Sequence, residues 1–140
     1  MTYRAFFDTN VLAYEFDLAD PRKRALSEKL LDQWRPSGRM IISTQILQEL
    51  YVVLTRKMGI EQKDAEEIIR RYSRLDVMIV DPELVLEGIK ISQRYKISFW
   101  DALVVGAAKK GGCKVLFTED LSHGMRLEGV EIINPFKDVN

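Results

Sequence analysis

The sequence of 140 residues contains one cysteine, Cys113, and one histidine, His123, and this scarcity limits the chemistry it can carry. Cys113 has no second thiol in the chain with which to form a disulfide. One Cys and one His are also too few for a zinc site built from these two residue types. A lone cysteine is typical of proteins from a reducing compartment, so we expect a cytoplasmic protein.

Long apolar runs and an excess of charge of one sign are also missing. The longest apolar run, "ALVVGAA" at residues 102–108, is far shorter than the roughly 20 residues that a membrane span needs. The apolar run before Asp8 is too short for a signal peptide. Lys plus Arg and Asp plus Glu both number 21, so the formal net charge is zero. Any polyanionic partner must therefore be bound by local groups rather than by an overall positive field.

What the sequence does contain is an alternation of strand and helix patterns. Short apolar segments rich in β-branched and aromatic residues predict strands buried on both faces, at Ala5–Phe7, Met40–Ile42, Val77–Val80, Val115–Phe117 and Val130–Ile133. Segments of helical period lie between most of them, at Pro21–Trp34, Thr44–Met58, Ala65–Tyr72, from Pro82 onward and at Ser98–Lys110. This alternation predicts one α/β domain over residues 1–140, with a parallel sheet and helices on both faces.

Four acidic residues stand at positions where a parallel sheet presents ligands. Asp8 directly follows the first predicted strand, and Asp120 follows the fourth. Glu49 and Asp101 lie near the starts of two predicted helices. Ligands of open parallel sheets bind outside the carboxyl ends of the strands, so these acids are candidates for one site.

Asp101 carries the strongest signal of the four. Its helical neighbours at i+3, i+4 and i+7 are Val104, Val105 and Ala108, which predicts that its carboxylate lies on an apolar face. No lysine or arginine close to it in the sequence is an obvious partner. A buried carboxylate without a partner is costly unless it binds a cation, so the pattern favours a functional role.

Each acid also has a simpler interpretation. Asp8 and Asp101 can serve in capping at helix N-termini, whereas Glu49 and Asp120 can be ordinary surface and turn residues. If the four converge, however, each pair of carboxylates about 5 Å apart repels by about 3 kcal/mol. Such a cluster must take up protons or cations, and oxygen-only ligands suit Mg²⁺ or Mn²⁺.

The acids lie in segments that together resemble a known family. "FFDTNVL", "ILQELYVVL", "ISFWDALVVGAA" and "LFTEDLSHG", closing with "INPF", occur in the order found in the PIN domain family. Within that family the chain resembles the toxin-like (VapC-type) ribonucleases of prokaryotic toxin–antitoxin pairs, over nearly its whole length. The resemblance implies a three-layer α/β sandwich whose sheet has the order 3-2-1-4-5, with the first and fourth strands adjacent.

The resemblance also implies the site residues and the reaction. It implies that the catalytic metal ligands are Asp8, Glu49, Asp101 and Asp120, and that the supporting residues are Thr9, Asn10 and Thr118. The implied cofactor is Mg²⁺ or Mn²⁺, and the implied reaction is hydrolysis of RNA phosphodiester bonds. Asp101 and Asp120 are both candidates for the general base. Glu119 stands beside Asp120, which leaves the fourth position open between them.

Partners follow from the same resemblance. It implies an RNA substrate, a small antitoxin that covers the acidic groove, and a homodimer, with no membrane. Tyr51, Met58 and Tyr72 are apolar candidates for these contacts, with core packing as the alternative. Candidates for RNA contact are His123 and the basic residues at 22–24, 56–57 and 109–110, for which a structural loop and solvated helix faces are the alternatives.

Two other functions remain open from the sequence. A phosphatase of the haloacid dehalogenase type also uses an Asp after its first strand, as nucleophile, but expects a second Asp two residues later, where this chain has Asn10. It also expects a partner lysine that the sequence does not offer. A non-catalytic interaction module with the PIN fold is the other alternative.

Overall fold

The computed structural model describes residues 2–139, which form a sheet flanked by helices. The strands are β1 (Arg4–Phe7), β2 (Met40–Ser43), β3 (Asp76–Met78), β4 (Cys113–Phe117), β5 (Arg126–Leu127) and β6 (Val130–Ile133). The α-helices are α1 (Thr9–Ala13), α2 (Pro21–Trp34), α3 (Thr44–Val52), α4 (Gln62–Tyr72), α5 (Pro82–Tyr95) and α6 (Phe99–Lys110). Short 3-10 turns follow α1 and α2, and a π-helical turn at Val53–Lys57 extends α3.

The strand order is β3-β2-β1-β4-β6-β5. The first five of these are parallel and reproduce the predicted order, because β6 is the strand predicted as the fifth. The prediction was wrong in missing β5, a two-residue edge strand that pairs antiparallel with β6. Glu128 and Gly129 connect the two strands with φ of 53° and 79°, the left-handed backbone that tight hairpin turns require.

The predicted helices are all present, with shifts at their boundaries. α4 begins at Gln62 rather than at Ala65, and the helix predicted over Thr44–Met58 divides into α3 and the π-helical turn. α1 was not predicted, because its 5 residues are too few to show a helical period. None of the helices within residues 2–139 is long and apolar enough to cross a membrane.

Helices cover both faces of the sheet, as expected for a three-layer sandwich. Phe7 packs edge-on against Trp34 of α2, with 5.7 Å between the ring centroids. Phe6 pairs in register with Ile41, whose side chain lies against Gly111 at the end of α6. Because adjacent strand residues point to opposite faces, α2 and α6 lie on opposite sides of the sheet.

The central strand pair determines where the site lies. β1 and β4 run parallel with Phe7 opposite Phe117, and the backbone N–H of Asp8 donates to the carbonyl of Phe117 over 3.0 Å. Asp8 and Thr118 therefore leave the sheet side by side at its carboxyl edge. This confirms the predicted adjacency of the first and fourth strands.

One apolar residue considered for partner contacts belongs to the interior. Tyr72 is only 6% exposed and is part of the hydrophobic core. Tyr51 and Met58 are half-buried and pack against the same core. Core packing, the alternative that the sequence offered, is therefore what the structure shows for Tyr72.

Glu128 joins the β5–β6 turn to α5 and α6. Its carboxylate accepts hydrogen bonds from the Tyr95 hydroxyl at 2.7 Å, from Arg94 at 2.8 Å and from Lys109 at 3.0 Å. The Tyr95 hydrogen bond, followed by those from Lys109 and Arg94, lowers the pKa of Glu128 from 4.5 to about 2. The three donors hold the side chain of Glu128, a residue whose backbone is left-handed. They thereby anchor the edge of the sheet to α5 and α6.

Glu128→Gln is expected to lower the free energy of unfolding at neutral pH by about 1 kcal/mol, because water screens the half-exposed cations that it pairs with. A lowered pKa stabilises the fold above the unfolded value of 4.5, and this contribution is lost as the pH falls through about 2. Denaturant unfolding at neutral and acidic pH should show the difference from wild type shrinking in acid. Glu131→Gln, which removes an exposed ion pair with Arg126, is the control and should change stability less.

Candidate active site

Asp8 is the buried member of the acidic group. It follows β1 directly and caps α1, and its residue is only 5% exposed. One carboxylate oxygen, Oδ1, accepts from the backbone N–H of Thr9 at 2.8 Å, and the other, Oδ2, accepts from the Thr118 hydroxyl at 2.7 Å. Asp8 therefore acts as the helix cap that the sequence allowed while it also faces the other acids.

Thr118 and Asn10 connect Asp8 to Asp120. The Thr118 hydroxyl, which donates to Asp8, accepts from the backbone N–H of Asp120 at 3.1 Å. The Asn10 side-chain amide donates to Oδ2 of Asp120 at 3.0 Å. Two of the predicted supporting residues thus fix the loop after β4 against the start of α1.

Glu49 reaches the same edge from α3. Its Oε1 accepts from the Thr9 hydroxyl at 2.8 Å, and its Oε2 lies 3.4 Å from the side-chain amide of Gln45. That Gln45 amide also donates to the backbone carbonyl of Trp100 at 3.3 Å, which ties α3 to the start of α6. Sequence reasoning missed Gln45, although its i, i+4 spacing to Glu49 places both on one face of α3.

Asp101 is not buried as the sequence pattern predicted. It is the third residue of α6, half-exposed, and its backbone N–H is capped by the Ser98 hydroxyl at 3.1 Å. The seven residues that follow it, 102–108, are all buried. The helix therefore enters the core only after its first turn, and the apolar neighbours of Asp101 lie deeper than its own side chain.

The acids influence one another electrostatically. Burial, with smaller contributions from the charges of Asp120 and Glu49, raises the pKa of Asp8 from 3.8 to about 7. Partial burial, followed by the charges of Asp101 and Glu119, raises the pKa of Asp120. Among the described residues, none of the four predicted ligands forms a salt bridge with a lysine or arginine. The four carboxylates thus share one region in which negative charge is uncompensated.

Glu119 differs from Asp120 in its partners. Its carboxylate accepts from the Tyr14 hydroxyl at 2.7 Å and from Lys23 at 2.9 Å. The Lys23 ammonium also lies over the rings of Tyr14 and Phe136. The charge of Glu119 is therefore neutralised locally, whereas the side chain of Asp120 is held toward the acids by Asn10.

A cleft of about 560 Å³ opens beside the acids. Its polar lining is formed by Asp8, Thr9, Asn10, Gln48, Glu49, Glu119 and Asp120, and its apolar lining by Ala13, Tyr14, Val52, Val53 and Met58, with Lys57 as its basic residue. Asp101 does not line this cleft, and it reaches the group from the side of α6. The lining of the cleft is therefore partly acidic and partly apolar.

The donor set fits a hard divalent cation in its chemistry. Every candidate ligand is a carboxylate oxygen, and the carboxylates mutually disfavour ionisation. Within residues 2–139, no three acidic, cysteine or histidine side chains stand close enough to hold a metal ion as they are placed. Rotation of Glu49, Asp101 and Asp120, which all have solvent access, would be needed to bring their oxygens together.

Most of the basic residues considered for RNA contact have structural partners. Lys109 pairs with Glu128 and Lys110 pairs with Asp81, as Lys23 does with Glu119. His123 is a structural loop residue whose Nδ1 accepts from the backbone N–H of Asn134 at 3.0 Å. Lys57 is different, because it is exposed and lines the cleft.

The sequence matches the model of the PIN domain family over residues 5–123. No curated protein matches the chain. The family match covers β1 through the loop that follows β4, and so it includes all four acids described above.

Solved structures resemble the whole fold. VapC20 of Mycobacterium tuberculosis, a toxin that cleaves the sarcin–ricin loop, shares 24% identity over 83% of this chain and 91% of its own, with a TM-score of 0.67. A toxin–antitoxin complex from Klebsiella pneumoniae shares 20% identity over 94% and 97%, with a TM-score of 0.69. The DNA-bound VapBC complex from Salmonella typhimurium shares 20% identity over 94% and 97%, with a TM-score of 0.65.

Asp8→Asn should stabilise the metal-free protein at neutral and alkaline pH. An acid whose pKa is raised in the folded state destabilises the fold as the pH rises from the unfolded pKa, 3.8, to the folded pKa, about 7. Above about pH 7 the full destabilisation of about 4 kcal/mol applies. The uncharged side chain of Asp8→Asn avoids this penalty. Part of the gain is lost, because an amide nitrogen in place of Oδ2 cannot accept the hydrogen bond from the Thr118 hydroxyl. Denaturant unfolding in EDTA should therefore show wild type losing stability as the pH rises through this range, with a flatter profile for Asp8→Asn.

Asp32→Asn, at an exposed position of α2, is the control and should keep the wild-type pH profile. A parallel decline in wild type and Asp8→Asn would show that Asp8 does not carry the buried charge.

Proposed function

The chain belongs to the PIN domain family, and from this membership we propose that it is a divalent-metal-dependent endoribonuclease, the toxin of a toxin–antitoxin pair. The observation that carries the proposal is the group of four carboxylates at the carboxyl edge of β1 and β4, none of which forms a salt bridge within residues 2–139. Four unneutralised acids beside a cleft are a costly arrangement that cation binding would relieve.

Asp8, Glu49, Asp101 and Asp120 would hold the cation, Mg²⁺ or Mn²⁺. When bound, such a cation neutralises the scissile phosphate, lowers the pKa of an attacking water and stabilises the leaving oxygen. The contribution of the four carboxylates is to bring oxygen ligands from four separate segments to one edge of the sheet.

Thr9, Asn10 and Thr118 would act by orienting these carboxylates. Thr118 donates to Asp8, and Thr9 and Asn10 donate to Glu49 and Asp120. Each donor thus engages one oxygen of its carboxylate. Residues that orient ligands in this way commonly affect metal affinity and activity by 10- to 100-fold.

Asp120 is the better candidate for the general base. It is the most exposed of the four acids and it lines the cleft, so it is accessible to a water molecule there. Its Oδ2 accepts from Asn10, so its Oδ1 would be the oxygen that either holds the cation or takes the proton from the attacking water. Asp101, the other candidate, lies outside the lining of the cleft.

RNA would bind mainly through local contacts, because the chain has no net charge. The cleft beside the acids is the proposed path, and Lys57 in its lining would contact a phosphate. Arg56 is exposed beside Lys57 and would extend this contact.

We also propose a small antitoxin that covers the cleft, and a homodimer. The support for the antitoxin is the similarity to structures of toxin–antitoxin complexes from Klebsiella pneumoniae and Salmonella typhimurium. The homodimer is proposed from membership of the PIN domain family alone. A cytoplasmic location fits an RNA substrate and the single buried cysteine.

The phosphatase alternative receives no support from the geometry. At the position where that mechanism needs a general acid, the Asn10 amide is committed to Asp120. Lys23, a lysine near the site, neutralises Glu119. The other alternative is a non-catalytic module with the same fold. Absence of RNA cleavage by the wild-type protein in the following experiment would favour it.

Asp8→Asn, Glu49→Gln, Asp101→Asn and Asp120→Asn should each lower metal-dependent RNA cleavage by at least about 100-fold, because removal of a ligand should cost more than loss of a residue that orients one. Cleavage of a labelled RNA should need Mg²⁺ or Mn²⁺ and should stop in EDTA. Either ion should also raise the thermal unfolding midpoint of wild type, a readout that does not depend on activity. Cleavage by wild type that is equally fast in EDTA would refute the metal-dependent mechanism.

Glu119→Gln tests which of the two adjacent acids, Glu119 or Asp120, occupies the fourth ligand position. Because Lys23 already neutralises Glu119, this variant should lose much less activity than Asp120→Asn. Glu131→Gln on β6 controls for removal of an acid far from the cleft. Equal losses in Glu119→Gln and Asp120→Asn would mean that the two residues share the fourth position.

Expression of the wild-type chain alone should arrest growth of a bacterial host, and expression of Asp101→Asn should not. Co-expression of the antitoxin should restore growth, because it covers the cleft. The measurement is colony formation after induction, with immunoblots showing equal protein levels. Arrest by Asp101→Asn as well would disconnect toxicity from the acidic site.

A further inference from the structure

Gln45 is a polar residue that lies almost wholly inside the protein. It is the second residue of α3 and is only 5% exposed. Within residues 2–139, two buried side-chain atoms have no hydrogen-bond partner, Oε1 of Gln45 and Oγ of Ser43 at the end of β2. A buried polar atom without a partner lowers stability, and in native proteins such atoms are rare. The side chain of Gln45 therefore needs an explanation other than packing.

The amide nitrogen of Gln45 contacts two segments that carry candidate metal ligands. Its Nε2 lies 3.4 Å from Oε2 of Glu49 on α3 and 3.3 Å from the backbone carbonyl oxygen of Trp100 on α6. Trp100 directly precedes Asp101 in the first turn of α6. One side chain thus connects the carboxylate of Glu49 with the helix turn that carries Asp101.

These two contacts determine the orientation of the Gln45 amide. An ionised carboxylate and a backbone carbonyl can only accept hydrogen bonds, so the nitrogen must face both of them. The reverse orientation would place the amide oxygen against two other oxygen atoms. The unpartnered position of Oε1 is therefore the consequence of using both N–H groups toward Glu49 and Trp100.

Stability does not explain why an amide stands at this position. Both contacts are at the long end of the hydrogen-bond range, so each adds little to stability. The Trp100 carbonyl lies in α6, where the helix itself supplies a donor four residues later. Glu49 is half-exposed and also accepts from the Thr9 hydroxyl. Because neither acceptor depends on Gln45, an apolar side chain of similar length should be tolerated here without loss of stability.

We propose that Gln45 is a positioning residue that sets the separation between Glu49 and Asp101 when these acids hold a cation. This inference rests on the proposed metal-dependent function and adds to it a residue that is not itself a ligand. Residues that hold ligands in place commonly change metal affinity by 10- to 100-fold. Mg²⁺ needs a nearly ideal octahedral geometry at short distances, whereas Ca²⁺ accepts variable geometry at longer ones. Loss of a fixed separation should therefore weaken Mg²⁺ binding more than Ca²⁺ binding.

Gln45→Met tests this role, because methionine has nearly the same length but no N–H group. Mg²⁺ and Ca²⁺ are titrated separately into metal-free protein, and binding is followed by the rise in the thermal unfolding midpoint. Gln45→Met should bind Mg²⁺ about 10- to 100-fold more weakly than wild type and should lose much less affinity for Ca²⁺. In EDTA its unfolding midpoint should equal or exceed that of wild type, because the variant no longer buries an unpartnered oxygen.

Ser43→Ala is the matched control. It removes the other buried oxygen without a partner, two residues earlier in the chain, but no hydrogen bond joins Ser43 to an acid within the described residues. Ser43→Ala should keep the wild-type affinity for both ions. A loss of Mg²⁺ affinity as large as that of Gln45→Met would show that the junction between β2 and α3, rather than the Gln45 amide, controls the ligands, and would overturn the inference.

A double variant tests whether Gln45 acts through Glu49. In a Glu49→Gln background, Gln45→Met should have little further effect on Mg²⁺ affinity, because the carboxylate that it positions is already gone. A full additional loss would mean that Gln45 acts independently of Glu49, which the inference does not allow.

The outcomes separate this inference from the proposed function. Equal weakening of Mg²⁺ and Ca²⁺ binding in Gln45→Met, or a clearly lower unfolding midpoint in EDTA, would show a merely structural residue. Wild-type affinity for Mg²⁺ in Gln45→Met would also overturn the positioning role, while metal-dependent cleavage by wild type still supported the nuclease. If neither ion raised the midpoint of wild type and cleavage did not need metal, the metal-dependent function would fail together with this inference.

Discussion

The hydrogen bond between Thr118 and Asp8 is the interaction on which the arrangement of the site depends. It joins the residues that follow β1 and β4, the two central parallel strands, and its acceptor is the carboxylate of Asp8, which is only 5% exposed. Burial makes that charge unfavourable, yet the helix start and the loop after β4 are both built around its oxygens. The fold thus holds Asp8 in a position where burial disfavours its ionised form, and carboxylates with such raised pKa values are common in functional sites.

Asp8 and Asp101 show how far the sequence could predict this site. The position of Asp8 after a buried strand and the parallel pattern were enough to place it and Asp120 at one edge. The burial of Asp101 was predicted wrongly, because helical periodicity gives the direction of a side chain but not the depth at which the helix meets the core. The same limit explains β5, whose two residues carry too little pattern to be recognised before their pairing with β6 is known.

Glu119 and Asp120 illustrate a choice that no local pattern could make. The two acids are adjacent, and their roles are separated by Lys23 and Tyr14, which approach Glu119 from segments about a hundred positions earlier in the chain. Gln45 is a similar case, since its contact with the carbonyl of Trp100 depends on how α3 meets α6. Partners of this kind arise from tertiary packing, so they become visible only in the folded chain.

The two ends of the Asp8–Thr118 hydrogen bond are 110 positions apart in the chain, and so are those of the hydrogen bond between Asn10 and Asp120. Contacts between residues so far apart in the chain are typical of slow folding, because a long loop must close before they can form. During synthesis the acids remain separated until the ribosome has released residues near the end of the domain. The site would therefore assemble only after residues 118–120 have been made, and a shorter nascent chain would carry Asp8, Glu49 and Asp101 without a complete site.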